Sequence, residues 1–471
     1  MSTWTYFLIA LYAMALPCAA RAIMQSRTPQ GAAAWTVALL GFPYLSVPLY
    51  VIFGRSKFNG YRIKRQALDR RAREELSRIE KVTSHEIPCP RNLETLVASV
   101  TASPQVGFTG GNRIKLIVDA ERAYPLMLEE IEGAKKYILF QFYIFREDQT
   151  GLRFAEALMA KALAGVEVNF LYDEIGSTIS GRLFSRLRNA GVKVAQFNAT
   201  KGPQNRFQIN FRNHRKLLIV DGRVAIAGGM NVGDEYLGLD PEVGAWRDAQ
   251  VRLEGPAVMA LQTAFAKDWF WSQGKLLKAQ WDPWCPADAV ADVLCLHTGP
   301  VDDRRTCLQA HLALINMARK RLWISTPYLV LPDSLSDALA LAALRGVDLR
   351  IMLPSRGDNL LVNLASSVYQ SELLAGGARL FRFDAGFLHQ KVMVVDDQVA
   401  VVGSANLDYR SMFLNFEISI MSTEATFISE LAQMLSEDFD KSSELTLKDF
   451  EGRSFGRRLL ERSADLFAPI L

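Results

Sequence analysis

The chain has 471 residues, of which 49% are hydrophobic, 22% charged and 10% aromatic. That balance excludes a disordered chain and gives room for two or more domains with full cores. The formal net charge of +4 is small for this length, which argues against a nucleic-acid binder, whose usual mark is a strong basic patch.

Residues 4–20 carry no charge and are almost wholly apolar, and residues 32–54 are again uncharged. Each run is close to the roughly 20 residues a helix needs to cross the hydrocarbon core. Residues 1–54 are therefore predicted to form a transmembrane hairpin, with Arg21, Arg27, Thr28, Pro29 and Gly31 in its polar turn. The first run has no basic segment before Trp4, and Ala15-Leu16-Pro17-Cys18 is a poor lipoprotein cleavage pattern, so it reads as a retained span. Arg55, Lys57, Arg62, Lys64, Arg65, Arg70, Arg71 and Arg73 follow the second run. These eight cations, against two in the turn, put residue 55 onward and the N-terminus on the cytoplasmic side. Residues 55–109 read as a basic juxtamembrane linker. Its stretch 62–82, rich in Arg, Ala, Leu and Glu, is either a topology signal or a helix on anionic lipid.

From about residue 110, strands alternate with helices, and segments recur in the same order. The strand at Lys136–Phe145 is echoed at Arg321–Val330. The run after Gly165 is echoed after Gly346, and the helix end turning into a strand at Leu187–Phe197 is echoed at Leu373–Phe383. The strands are short and apolar on both faces, as in a sheet covered by helices. The order predicts two similar α/β halves, 110–280 and 281–471, joined near Gly274, Pro283, Pro286 and Pro300. Two similar halves suggest a pseudo-twofold dimer within one chain, with equivalent sites meeting at the seam.

The last repeated segment carries the chemistry. His214-Arg215-Lys216, then Asp221, Gly228-Gly229 and Asn231, matches His389-Gln390-Lys391, then Asp396, Gly403-Ser404 and Asn406. Both copies fit H-x-K-x4-D-x6-G-[GS]-x-N, in a chain with only five histidines. Residues two apart on a strand point to one face, so each histidine shares a face with its lysine. Asp221-Gly222 is a two-residue hairpin signal, and Asp396-Asp397 takes the same place. Those turns would set His214 opposite Gly229 and His389 opposite Ser404, leaving room for a ligand. They would also return Asn231 and Asn406 to the histidine end. Lysine ammonium and asparagine NH2 groups offer donors to an anion, so the set describes a phosphate cradle without a P-loop. The aspartates fall at the far end, in turn and scaffold positions. The five cysteines (Cys18, Cys89, Cys285, Cys295, Cys307) form no C-x-x-C pair and read as reduced, and there is no H-E-x-x-H, so no metal or other cofactor is expected. His85, His297 and His311 have no motif around them. Gln141, Tyr143 and Tyr328 end equivalent strands and could line a mouth or pack in the core.

These residues resemble the HKD motif of the phospholipase D superfamily, over roughly 110–440. Ahead of them, Thr28-Pro29-Gln30-Gly31, Ala34-Trp35 and the run Tyr50–Gly54 are similar to the hairpin of the bacterial cardiolipin synthases. One departure is Gly229, where many members have serine. The resemblance implies a catalytic set of His214, Lys216, Asp221, His389, Lys391 and Asp396. It implies phosphoryl contacts from Asn231, Asn406 and Ser404, and a carboxylate orienting each histidine, matched by Asp248 and Glu417. It also implies that His214 attacks the phosphorus and that His389 is acid and then base. The substrates would be phospholipids, phosphatidylglycerol first, at the inner membrane of a bacterium, with no nucleic acid. A lipid hydrolase, a nuclease of the same fold and a non-enzymatic lipid binder remain as alternatives, and oligomeric state stays open.

Overall fold

The computed structural model describes residues 3–26, 28–54, 87, 93–100, 107–197, 210–240, 244–302 and 304–470. The basic stretch after residue 54, together with His85 and Cys89, lies outside them.

Helix α1 (Thr3–Gln25) covers the first apolar run. The second run, expected as one helix, is two: α2 (Pro29–Gly41) and α3 (Pro43–Phe53). The break has a local cause. Pro43 has no N–H to continue the helix and disfavours helical geometry at Phe42, whose φ of −136° and ψ of 59° lie outside the helical region. Thr28 caps α2, its side chain accepting from the Gly31 N–H at 3.1 Å. The three helices pack around Ala15, Ala19, Ala22, Leu39, Val47 and Tyr50. Among the described residues no helix is long and apolar enough to cross a membrane. The turn also differs from expectation. Met24, Gln25 and Ser26 line one cleft with Asp302, Arg304, Arg305 and Phe413. The sequence had put this polar turn across the bilayer from the catalytic halves; the structure sets it beside one of them, where polar partners are available.

The first half runs β1 (Thr109–Val118), α4 (Ala120–Gly133), β2 (Tyr137–Phe142), α5 (Gln149–Leu163), β3 (Glu167–Asp173), α6 (Gly181–Asn189), β4 (Lys193–Phe197), β5 (Arg212–Asn213), β6 (Leu217–Val220), β7 (Val224–Gly228), β8 (Trp246–Arg247), β9 (Ala249–Glu254) and α7 (Val258–Gln273). The second repeats the order with β10 (Ala291–Thr298), α8 (Thr306–Met317), β11 (Arg321–Ser325), β12 (Leu329–Val330), α9 (Asp333–Leu344), β13 (Asp348–Pro354), α10 (Leu360–Ala375), β14 (Arg379–Phe383), β15 (Phe387–Leu388), β16 (Val392–Val395), β17 (Val399–Gly403), β18 (Leu407–Asp408), α11 (Tyr409–Phe413), β19 (Asn415–Ser422) and α12 (Ala425–Phe439). It then adds β20 (Ser442–Leu445) and α13 (Phe455–Asp465).

The two sheets meet edge to edge. β1 pairs antiparallel with β10, flanked by β9 on one side and β19 on the other, so one sheet runs through both halves. Strands buried on both faces, such as Tyr137–Phe142, read as continuous apolar runs for that reason. One core is shared, with Phe265 and Trp269 of α7 and Leu431 and Leu435 of α12 packed among strands of both halves. Each half has a second core under its own helices. The seam is thus a hydrophobic interior, and it fixes what the two motif hairpins present to each other.

Candidate active site

Each motif is a hairpin, but its turn is one residue longer than the sequence implied. Val220 pairs with Val224 and Val395 with Val399, leaving loops of three residues. Asp221 (φ 52°) and Asp396 (φ 51°) take the left-handed conformation that Asp tolerates better than most non-glycine residues. The extra residue shifts the register, so by continuation of the ladders His214 faces Met230 and His389 faces Ala405, not Gly229 and Ser404. The small residues serve a different contact. A Cβ on Gly229 would sit 2.1 Å from Asp248 Oδ1, so the glycine makes room for that carboxylate rather than for a ligand.

The histidines are placed by strand pairing between halves. β5 pairs parallel with β19, with Asn213 opposite Phe416, and β15 pairs parallel with β8, with Leu388 opposite Arg247. One residue further on, His214 meets Glu417 and His389 meets Asp248. His214 Nδ1 lies 3.0 and 3.1 Å from the two Glu417 oxygens, and His389 Nδ1 lies 2.6 Å from Asp248 Oδ2. Each histidine is therefore oriented by the other half. A carboxylate at Nδ1 fixes the proton there and leaves Nε2 for chemistry.

The two pairs are not equivalent. Glu417 also accepts from Ser404 Oγ (2.5 Å), Ser411 Oγ (2.9 Å) and Asn415 Nδ2 (3.1 Å). Among the described residues, Asp248 accepts only from the Ala249 N–H (2.7 Å) besides its histidine. Burial alone would raise both. For Glu417, His214, Lys216 and Ser404 outweigh burial, and its pKa ends below the ordinary value. For Asp248 burial wins and the pKa rises to about 7. Burial also outweighs the carboxylate at His214, lowering it to about 4, while His389 is held well below its usual value by burial and by both lysines. At both histidines desolvation is the larger effect, despite the carboxylate that each contacts.

Lys216 Nζ donates to the His214 carbonyl at 2.7 Å, and Lys391 makes the same bond to His389. Burial depresses both ammonium groups, Lys391 to about 8. A buried cation is costly unless an anion joins it, so the pair suits a bound phosphoryl group. Asn231 Nδ2 donates to Tyr236 at 2.5 Å and Asn406 Nδ2 to Asp408 at 3.0 Å, which among the described residues leaves one amide N–H of each. Ser404, expected on the phosphate, instead gives its hydroxyl to Glu417.

Asp221 and Asp396, taken with the catalytic set, lie at the far end of the hairpins. Asp221 accepts the N–H groups of Lys135, Lys136 and Tyr137 at 2.7–2.8 Å, and Asp396 those of Arg319, Lys320 and Arg321 at 2.8–3.0 Å. They clamp the start of the neighbouring strand. Asp221→Ala and Asp396→Ala are expected to lower stability by about 1–3 kcal/mol each, because three backbone N–H groups lose a charged acceptor. The surviving folded fraction should keep its turnover, a split that denaturant melts and rates normalised to folded protein would measure.

Several contacts around the motifs were not legible in the sequence. Arg215 points to the opposite face from His214 and binds Asp268 at 2.6 Å, and Gln390 likewise reaches Asp438 at 3.1 Å. These contacts tie the middle motif residue to α7 and α12. Tyr143 stacks edge-on against His214 (5.0 Å), and Trp246, Tyr236 and Phe387 surround His389 at 5.2–6.2 Å. Gln141 belongs to the buried Asp268 network, and Tyr328 binds Asp358 at 2.6 Å.

Two motif hairpins, crossed in their carboxylates and meeting at one seam, define a two-copy phosphodiester-transferring fold. A family model described as "Cardiolipin synthase, PLD-like domain" matches residues 127–269 and 311–441, and one described as "Phospholipase_D-nuclease N-terminal" matches 13–55. Cardiolipin synthase A of Pseudomonas aeruginosa is 40% identical over 100% of this chain and 97% of its own. That of Pseudomonas syringae pv. syringae is 39% identical over 99% and 98%. The crystal structure of phosphatidylserine synthase from Haemophilus influenzae has the same fold, with a TM-score of 0.60 at 14% identity over 80% of this chain and 100% of that one. The chain belongs to the cardiolipin synthase family of the phospholipase D superfamily.

Proposed function

We propose that the chain makes cardiolipin from two molecules of phosphatidylglycerol and releases glycerol. The observation that carries the mechanism is the crossed, unequal pair of histidine–carboxylate contacts. His214, neutral and backed by an ionised Glu417, offers an Nε2 lone pair to the donor phosphorus. The P–O bond to glycerol breaks, and the His389–Asp248 pair supplies the proton that the leaving alkoxide needs. The glycerol hydroxyl of a second lipid then gives its proton back to that pair and displaces His214 from phosphorus. Lys216, Lys391 and the free amide N–H groups of Asn231 and Asn406 hold the phosphoryl oxygens as charge develops.

Membrane association rests on the N-terminal hairpin. Its outer face leaves Tyr6, Ile9, Leu16, Val37, Tyr44 and Leu45 exposed, a surface that suits lipid better than water. The eight cations after residue 54 suit the anionic lipid of a bacterial inner membrane. Product analysis tests the reaction. Vesicles of phosphatidylglycerol should yield cardiolipin and glycerol in equal amounts, with turnover surviving chelator treatment. Phosphatidic acid as the main product would replace this reading with a hydrolase, and no product from any phospholipid would remove it.

A further inference from the structure

Helix α13 is built inside out. Its packed side carries Glu461, 4% exposed, and Ala464, 3% exposed. Phe455 (73%), Leu459 (56%) and Leu460 (51%) face outward, continued just past the helix by Leu466 (80%) and Phe467 (50%). A surface helix in water turns its apolar stripe to the core. At about 100° per residue, Phe455, Leu459 and Leu466 form one outward stripe, with Leu460 and Phe467 beside it. The exposed Arg458 and Arg462 border one edge of the stripe.

This rotation is fixed by specific contacts. Glu461 accepts from Arg457 at 2.7 Å and from Arg453 at 3.0 Å. Asp465 accepts the Tyr369 hydroxyl at 2.6 Å, and Arg462 reaches Glu372 at 3.1 Å. The last two anchors tie the helix to α10 through polar groups and leave its apolar face outward. The chain then turns at Ala468–Ile470 against α11, the element whose Phe413 also lines the cleft that takes the turn of the N-terminal hairpin. The end of this segment and the turn of the N-terminal hairpin thus both lie against α11.

We propose that α13, with Leu466 and Phe467, is a second membrane contact that lies in the interface of an anionic phospholipid bilayer. The five apolar side chains enter the acyl region, and Arg458 and Arg462 sit at phosphate level, the arrangement of an interfacial amphipathic helix. No motif residue takes part, so this contact is separate from the transfer chemistry.

The test is immersion depth. The full chain is reconstituted in phosphatidylcholine vesicles with and without phosphatidylglycerol, with Cys18, Cys89 and Cys285 changed to serine. A nitroxide is placed at Leu459→Cys, Leu460→Cys or Phe467→Cys, with Glu430→Cys as the aqueous reference. All four sites are exposed, so the labels should not disturb folding. With phosphatidylglycerol present, the ratio of oxygen to nickel-chelate accessibility should be several-fold higher at the three apolar sites than at residue 430, and should fall when the anionic lipid is omitted. Nickel accessibility equal to the reference in both vesicles overturns the proposal. Spin–spin broadening at these sites, with no gain in oxygen accessibility, also overturns it and assigns the face to a second copy of the chain. Turnover is measured separately, so loss of the transferase reading would leave this readout intact.

Discussion

His214→Ala and His389→Ala are each expected to abolish cardiolipin formation, with turnover falling on the order of 10^4–10^6-fold, the range seen when a nucleophile or its acid–base partner is removed. In the proposed mechanism the two histidines serve one phosphorus, so the double variant should be little worse than the weaker single one. Folding should survive. Removing His214 leaves Glu417 held by Ser404, Ser411 and Asn415. Removing His389 leaves an Asp248 that burial already makes easy to protonate. Lys216→Ala and Lys391→Ala should cost roughly 1.5–3 kcal/mol of charge-assisted binding each, or about tenfold to more than a hundredfold in rate. Initial rates of glycerol release from phosphatidylglycerol vesicles measure all four. Substantial turnover in either histidine variant would sink the shared site.

The pattern of the halves was readable because it is local. Alternating strands and helices, the glycine-marked turns and the two motif copies recur at matching spacing, and one chain displays both. What escaped depends on long-range pairing. Nothing near His214 names Glu417 as its partner, because the contact follows from the β5–β19 register, across 203 positions in sequence. The hairpin register slipped for a smaller reason: Asp221-Gly222 reads as a two-residue turn, and the third loop residue, Arg223, has no distinguishing chemistry. That slip set Gly229 and Ser404 opposite the histidines, as room for a ligand. Both belong to the carboxylates, one by making space and one by donating a hydrogen bond. In the N-terminal run, hydropathy is blind to Pro43, which divides the expected span.

Initial-rate kcat/KM against pH is expected to be bell-shaped, with limbs near 4 and near 7. The free enzyme must hold His214 without a proton on Nε2 and the His389–Asp248 pair with one extra proton. His214 is depressed to about 4 by burial, so it is ready above that value and is lost to protonation as pH falls through it. Asp248 is raised to about 7 by burial, so the pair keeps its proton below that value and releases it as pH rises. Lys391, lowered to about 8, steepens the alkaline fall by losing its charge. These limbs belong to coupled pairs rather than to single residues. The inequality of the carboxylates gives a sharper test. Ser404→Ala removes a donor that favours ionised Glu417, so the acid limb should move up while the alkaline limb stays; an unmoved acid limb would refute the assigned roles. Trapping locates the covalent bond. With labelled donor and an alkaline detergent quench, label should remain on the protein through an acid-labile P–N bond and vanish in His214→Ala. Label that persists there but disappears in His389→Ala would exchange the two roles. Absence of trapped label at every time point, with cardiolipin still forming, would replace the two-step route by direct transfer between lipids.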